Sequence, residues 1–207
     1  MDRQGIEKFV NDLTAKAFEK LQYAYDISIN GKSDIKAKTR LRFKKYRNGE
    51  FRVSEQELRF AFVESLYEFS QSHEYESIYY SIETPTRCKY DFKDNPKVSE
   101  DGRSGNFDLT LYEDEKSIAL IEFKAKNVVL KEIKKDYVKL SNQEEGDGDT
   151  LRYFIWIFEN TDLQTKKSTD EKISKIEDEY KLDNGCNVTF VRYSLSEKTD
   201  FPNIWVQ

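Results

Sequence analysis

The sequence predicts an α/β domain, a mixed β-sheet sandwiched between helices. Three observations carry this. Helical and strand periodicities interleave along the chain instead of segregating into halves. Aromatics supply 14% of 207 residues, with only 3 Pro and 8 Gly, so a core can form although charged residues reach 35% and hydrophobic ones only 37%. The length suits one domain, at roughly 100–200 residues per domain.

Each element has its own signal. From Asp2 to about Ala24, residues Ile6, Phe9, Val10, Leu13, Ala17, Phe18 and Leu21 recur at gaps of three and four, one helical face. Asn30-Gly31 marks a turn. Ser54-Glu55-Gln56-Glu57 is a capping-box pattern that opens a second helix, with Leu58, Ala61, Phe62, Leu66 and Phe69 as its buried stripe. Ser77 to Glu83 is aromatic and β-branched and reads as a strand. Residues 84–105 read as a long polar loop, of a length that is often functional.

Phe107–Tyr112 and Ser117–Lys124 then flank the charged tetrapeptide Glu113–Lys116, a β-hairpin signal. A helix is expected from Val129 to Leu140, followed by an acidic loop from Glu144 to Asp149. Leu151 to Phe158 is the most apolar strand. Ser168 to Leu182 reads as a helix and Asn187 to Leu195 as the last strand.

Several classes are excluded at this level. No run approaches the ~18 apolar residues of a membrane span, and the N-terminus lacks the apolar stretch of a signal peptide. Cys88 and Cys186 lie far apart, form no CxxC pair, and cannot build a zinc site with the single His73. A cytoplasmic, reduced protein without a membrane partner is expected. His73 stands in a polar segment and reads as solvated, so histidine-based catalysis is not expected.

The chemistry-bearing segment is Asp108, the hairpin, and Glu122-Phe123-Lys124. Residues i and i+2 of a strand share a face, so Glu122 and Lys124 project together. Asp108 starts the partner strand and can face them if the register allows. Carboxylate oxygens suit hard Mg²⁺, which acidifies a bound water, while an ammonium stabilises developing charge. Glu-x-Lys alone is a cheap pattern here, since acid-x-Lys also occurs at Asp34, Asp91, Asp114, Glu132, Asp170 and Glu179. Only Glu122 follows an apolar strand run, Ile118–Ile121, with an aspartate upstream across a hairpin. The bland alternative is a salt-bridged strand end with Asp108 as a turn cap.

This constellation resembles the PD-(D/E)xK nuclease superfamily, and the αβββαβ order from Ser54 to Phe158 is similar to that family's restriction-endonuclease-like core. The likeness covers about half the chain, and Phe107 stands where the family has its proline. It implies a nuclease-like α/β core over 51–207 with an N-terminal helix and basic segment, 1–50, packed on it as a single domain. It implies Mg²⁺, or Mn²⁺, on Asp108 and Glu122, with Lys124 serving the attacking water. Many members add a helix glutamate; Glu57 and Glu64 are the candidates, and the flanking sequence favours Glu57.

Net charge is -5, which argues against a nucleic-acid partner. Residues 32–47 reverse that inference. They hold eight basic residues and one acid, a local +7 that leaves -12 for the rest. Lys36, Lys38, Arg40, Arg42, Lys44 and Lys45 can track phosphates, with Phe43 and Tyr46 available to stack on bases. Lys131, Lys134, Lys135 and Lys139 form a second basic stripe. The expected activity is metal-dependent hydrolysis of phosphodiester bonds in DNA, or RNA. The alternative is an inactive module of the same fold that binds nucleic acid or protein. A homodimer, or a larger complex in a defence or mobile-element system, follows from fold analogy only.

Overall fold

The structure, a computed structural model, describes residues 1–31, 38–159, 162–180, 185–196 and 204–206. Helix α1 (Arg3–Asn30) leads into α2 (Glu55–Ser70), and strands β1 (Ile78–Asp91), β2 (Lys97–Val98), β3 (Arg103–Glu113) and β4 (Lys116–Ala125) follow. Then come α3 (Leu130–Ser141), β5 (Leu151–Glu159), α4 (Leu163–Glu179), β6 (Thr189–Leu195) and β7 (Ile204–Val206). The sheet order is β2-β1-β3-β4-β5-β6-β7. β4, β5 and β6 run parallel, and the other pairings are antiparallel. This is an α/β fold with a mixed sheet flanked by helices.

The two faces of the sheet bury different sets. Leu151, Tyr153, Ile155 and Ile157 of β5 join the cluster under α1 and α2, while Phe154, Trp156 and Phe158 join the cluster under α3 and α4. That strict alternation, with every residue from Leu151 to Phe158 buried, is what a central parallel strand requires. Phe9, Leu13, Phe18 and Leu21 of α1 lie in the first cluster, so the N-terminal helix shares the core.

Four boundaries differ from those the sequence predicts. α1 runs on past Ala24 to Asn30, because Tyr25 is buried against Phe43 and Phe51 and Gly31 (φ 65°) closes the helix in the left-handed region. The expected loop over 84–105 is mostly strand: Thr84 pairs with Phe107 and Lys89 with Ser104, with an irregularity between Pro85 and Lys89. Polar composition hid it, since the Glu145 carboxylate rather than apolar packing pins the irregular stretch. α4 starts five residues before Ser168, at an N-cap where Asp162 accepts from the Thr165 amide (2.7 Å). β7 was not foreseen at all. Among the described residues no helix is long and apolar enough to cross a membrane.

Candidate functional site

The site begins where β3 and β4 part. Their pairing runs from Glu113↔Lys116 to Leu109↔Ile121 and stops there. Leu109 and Leu111 face the α1/α2 core, but Phe107 belongs to the opposite cluster, so the alternation of β3 breaks at Asp108. β1 is irregular at the same level, with Glu83 in the left-handed region (φ 52°). The Asp108 Oδ2 replaces the missing ladder bond by accepting from the Phe123 amide at 2.7 Å. Its Oδ1 takes the Arg59 guanidinium at 2.6 Å, and Arg59 also holds Glu83 (2.8 Å).

β4 sorts its side chains by parity. Ile121 and Phe123 enter the α1/α2 core, where Phe123 meets the Phe62 ring at 5.4 Å. Leu120, Glu122 and Lys124 take the other face. There α3 presents Asp136 and Lys139. The Lys139 ammonium donates to Glu122 Oε1 (2.6 Å), Asp136 Oδ1 (2.9 Å) and the Asn106 carbonyl (2.6 Å). The Lys124 ammonium meets Asp136 Oδ2 at 2.8 Å, the Phe123 carbonyl at 3.1 Å and Glu55 Oε1 at 3.5 Å. Gly105 lets the Lys139 stem pass, because a Cβ there would lie 2.9 Å from its Cδ.

The charges in this cluster are buried and mutually dependent. Glu122 is 2% exposed and Lys124 6%. Burial, reinforced by Asp136 and Asp108, pushes the Glu122 carboxyl well above the usual range against the pull of Lys139 and Lys124. Burial also raises Glu55, helped by Asp108 and Asp136. Burial alone would raise Asp136, yet Lys139 and Lys124 outweigh it and hold Asp136 low. Burial opposes the charge of both lysines, but Asp136 and Glu122 keep them protonated.

The expected site residues therefore divide. Glu122 and Lys124 share one buried cluster with Asp136 and Lys139, while Asp108 is held by Arg59 and the Phe123 amide and reaches Glu122 through its charge. Glu57 does not join them; it completes the capping box at the Ser54 amide (3.0 Å) and pairs with Arg52 (3.1 Å). Glu64 accepts from Thr39 (2.7 Å) on the α1 side. The helix carboxylate at the cluster is Glu55, two residues ahead of Glu57. Asp136 and Lys139 were not read as site residues. No sequence signal marks them: Asp136 is only half-buried, and Lys139 stands off the apolar stripe of Ile133, Tyr137 and Leu140.

The basic segment also divides. Lys36 lies outside the described residues. Lys38, Arg40, Arg42, Lys44 and Lys45 are exposed, and Lys38 pairs with Glu19. The segment 44–52 folds as a hairpin, with Lys45 bridging Phe51 and Gly49 in the turn (φ 90°). It leans on the end of β4: Lys126 donates to the Phe51 carbonyl (2.8 Å) and lies 5.7 Å from the Tyr46 ring. Tyr46 is exposed, whereas Phe43 is buried against Tyr25 and has no face to offer a base. The second basic stripe does not form a free surface, because Lys131, Lys134, Lys135 and Lys139 are all in ion pairs.

The Asp108 and Glu122 carboxylates have the oxygen chemistry that suits Mg²⁺ or Mn²⁺. Among the described residues, however, no group of three or more His, Cys, Asp or Glu side chains is arranged to hold a metal ion. Arg59 and Lys139 hold the oxygens such an ion would need. No family model, no curated protein and no solved structure matches this chain.

Proposed function

We propose that the protein is a metal-dependent nuclease of PD-(D/E)xK type with a restriction-endonuclease-like core, hydrolysing phosphodiester bonds of DNA or RNA. One observation supports the reading: Glu122 and Lys124 are buried together at the end of β4, and Asp108, which adds to the charge felt by Glu122, stands where β3 leaves β4. Burying this many charges is costly unless they are paired, and packing alone gives no reason to assemble them. A divalent ion held by Asp108 and Glu122 would acidify an attacking water.

The chain's own residues account for the rest. Lys124 is protonated, so it acts as a positive charge toward the phosphoryl oxygens and not as a general base. Asp136 orients its ammonium. Glu55, with a raised pKa and an oxygen 3.5 Å from Lys124, takes the place expected of Glu57 and can accept a proton near that ammonium. The exposed bases of 38–47 and Tyr46, at the end of β4, supply backbone contacts and one stacking surface for the nucleic acid.

The test is cleavage of end-labelled single- and double-stranded DNA and RNA with Mg²⁺ or Mn²⁺. Wild type cuts at least one form, and Asp108→Asn or Lys124→Met loses about 10²–10³-fold in rate while still binding it. No cleavage of any form with either metal contradicts the reading. The pairing of Arg59 and Lys139 with the two candidate ligands favours a second reading, an inactive module that binds nucleic acid without cutting it. It predicts binding that Arg42→Glu or Lys44→Glu weakens, with no cleavage.

A further inference from the structure

β1 is an edge strand over most of its length. β2 pairs with it at Tyr90 and Asp91, and among the described residues nothing pairs with the outer side of Ile78–Ile82. The inner side is bonded to β3, where Ile78 to Ile82 face Glu113 to Leu109. The Asp114 amide donates to the Ser77 carbonyl (3.2 Å), which sets the phase of that ladder. Bonded residues alternate along an antiparallel pair, so Tyr79 and Ser81 turn their amides and carbonyls to β3, and Ile78, Tyr80 and Ile82 turn theirs outward. Glu83, in the left-handed region (φ 52°), ends this open stretch.

Natural edge strands are guarded by a charge, a proline or a bulge. Ser77 to Ile82 hold no charge and no proline, in a chain that is 35% charged. Side chains extend the bare strip. Tyr80 and Ile82 share the sheet face of buried Ile78, the α2 side. Arg59 holds Glu83, so this arc of α2 faces β1, and Phe60, Val63 and Tyr67 lie on the same arc. Arg59 is taken up by Glu83 and Asp108, while Glu64 and Glu68 turn to Lys20 on α1. Phe60, Tyr67, Tyr79, Tyr80 and Ile82 are each between 47% and 68% exposed. They leave roughly 500 Å² bare per copy, about 1,000 Å² for two copies, the area at which a specific interface begins.

We propose that this strip is a homodimer interface, in which β1 pairs antiparallel with β1 of a second copy about a two-fold axis at Tyr80. Centring the axis there pairs all three outward residues: Tyr80 opposes the second copy's Tyr80, and Ile78 opposes its Ile82. That register forms about six main-chain hydrogen bonds and joins the two sheets edge to edge. The uncharged strip meets itself without like-charge repulsion, although the chain as a whole carries -5. The proposal does not depend on the nuclease reading.

Analytical ultracentrifugation of the full chain tests this. Wild type sediments as a dimer at about 10 µM. Tyr80→Lys sets two ammonium groups against each other at the axis and sediments as a monomer, a weakening of at least about 100-fold. Tyr80→Glu is monomeric as well, and mixing the two variants restores a dimer, because residue 80 of one copy meets residue 80 of the other. That recovery also shows that both variants are folded. Val129→Lys, at an exposed apolar side chain beside α3, leaves the dimer intact. Wild type that stays monomeric up to about 100 µM overturns the proposal and leaves the edge to a strand of another protein. A dimer that Tyr80→Lys leaves intact overturns it too, as does one that Val129→Lys breaks equally. So does a mixture of Tyr80→Lys and Tyr80→Glu that stays monomeric.

Discussion

Glu122 and Glu145 are both buried carboxylates, 2% and 1% exposed, yet their surroundings differ in kind. Among the described residues, Glu145 accepts from neutral donors alone: the Arg87 amide (2.8 Å), the Cys88 amide (3.0 Å) and the Tyr90 hydroxyl (2.7 Å). Its backbone carbonyl anchors Arg152 (2.6 Å). The carboxylate bonds tie the 142–150 loop to β1, two of them at its irregular stretch, and the carbonyl bond ties it to β5. Glu122 instead accepts from a lysine ammonium, with two more carboxylates, Asp136 and Asp108, and a second lysine, Lys124, around it. The contrast teaches that burial of an acid does not mark a site. A carboxylate closed by backbone amides is part of the scaffold, whereas one that depends on side-chain ammonium groups at a strand separation is held by charge.

Removing one partner from each carboxylate separates the two cases, and the largest effect is expected at Glu122. Lys139→Ala leaves Glu122 and Asp136 without their shared cation and costs about 3–5 kcal/mol in chelator. Urea denaturation measures it, and Mn²⁺ recovers much of the loss. A cost under about 1 kcal/mol would break the comparison, because Glu122 would then not depend on its cation. Glu145→Ala strands two amides and a phenol and costs about 2–3 kcal/mol. Mn²⁺ recovers none of that loss, and Mn²⁺ uptake is unchanged. Recovery by Mn²⁺ would mean that Glu145 belongs to a cation site after all.

A smaller effect sharpens the assignment of the α2 acids. Glu57→Ala removes half of a capping box and costs about 1 kcal/mol, with cleavage retained. Glu55→Gln shows the opposite pattern, losing cleavage with little change in the urea midpoint. A Glu57→Ala enzyme that folds normally but cannot cut would return the role to Glu57.

The smallest effect is a pH dependence on the scaffold side. Asp147 accepts from Arg87 and from the Ser117 amide (2.9 Å), which brings its carboxyl down to about 2. An unfolded aspartate titrates near ~3.9. The folded value is the lower one, so this stabilisation is fully present above about pH 4. It is lost as pH falls toward about 2. Asp147→Asn therefore flattens the acid limb of the stability profile between those values. A limb of unchanged slope contradicts the assigned contacts.

Periodicity made much of the fold legible. β5 announced itself by continuous apolar character, and the hairpin of β3 and β4 by alternation around a charged turn. Glu122 and Lys124 stand out in the sequence because an apolar strand leads into them, and Asp108 because it lies across the hairpin on β3. β1 beyond Glu83 was not, because Glu145, a distant loop acid, satisfies its backbone and no apolar pattern records that bond. The sequence favours Glu57 over Glu64 and passes over Glu55, because motif likeness cannot tell a capping carboxylate from one that faces the sheet. Lys139 was read as surface because its neighbours Lys131 and Lys135 are. Only the three-dimensional approach of α3 to the gap beside β3 shows it to be buried.

The most direct test is a crystal of the wild-type protein soaked in Mn²⁺ and measured for anomalous scattering. The account predicts one strong peak about 2.1 Å from oxygens of both Asp108 and Glu122. A saturated soak with no peak there would contradict it.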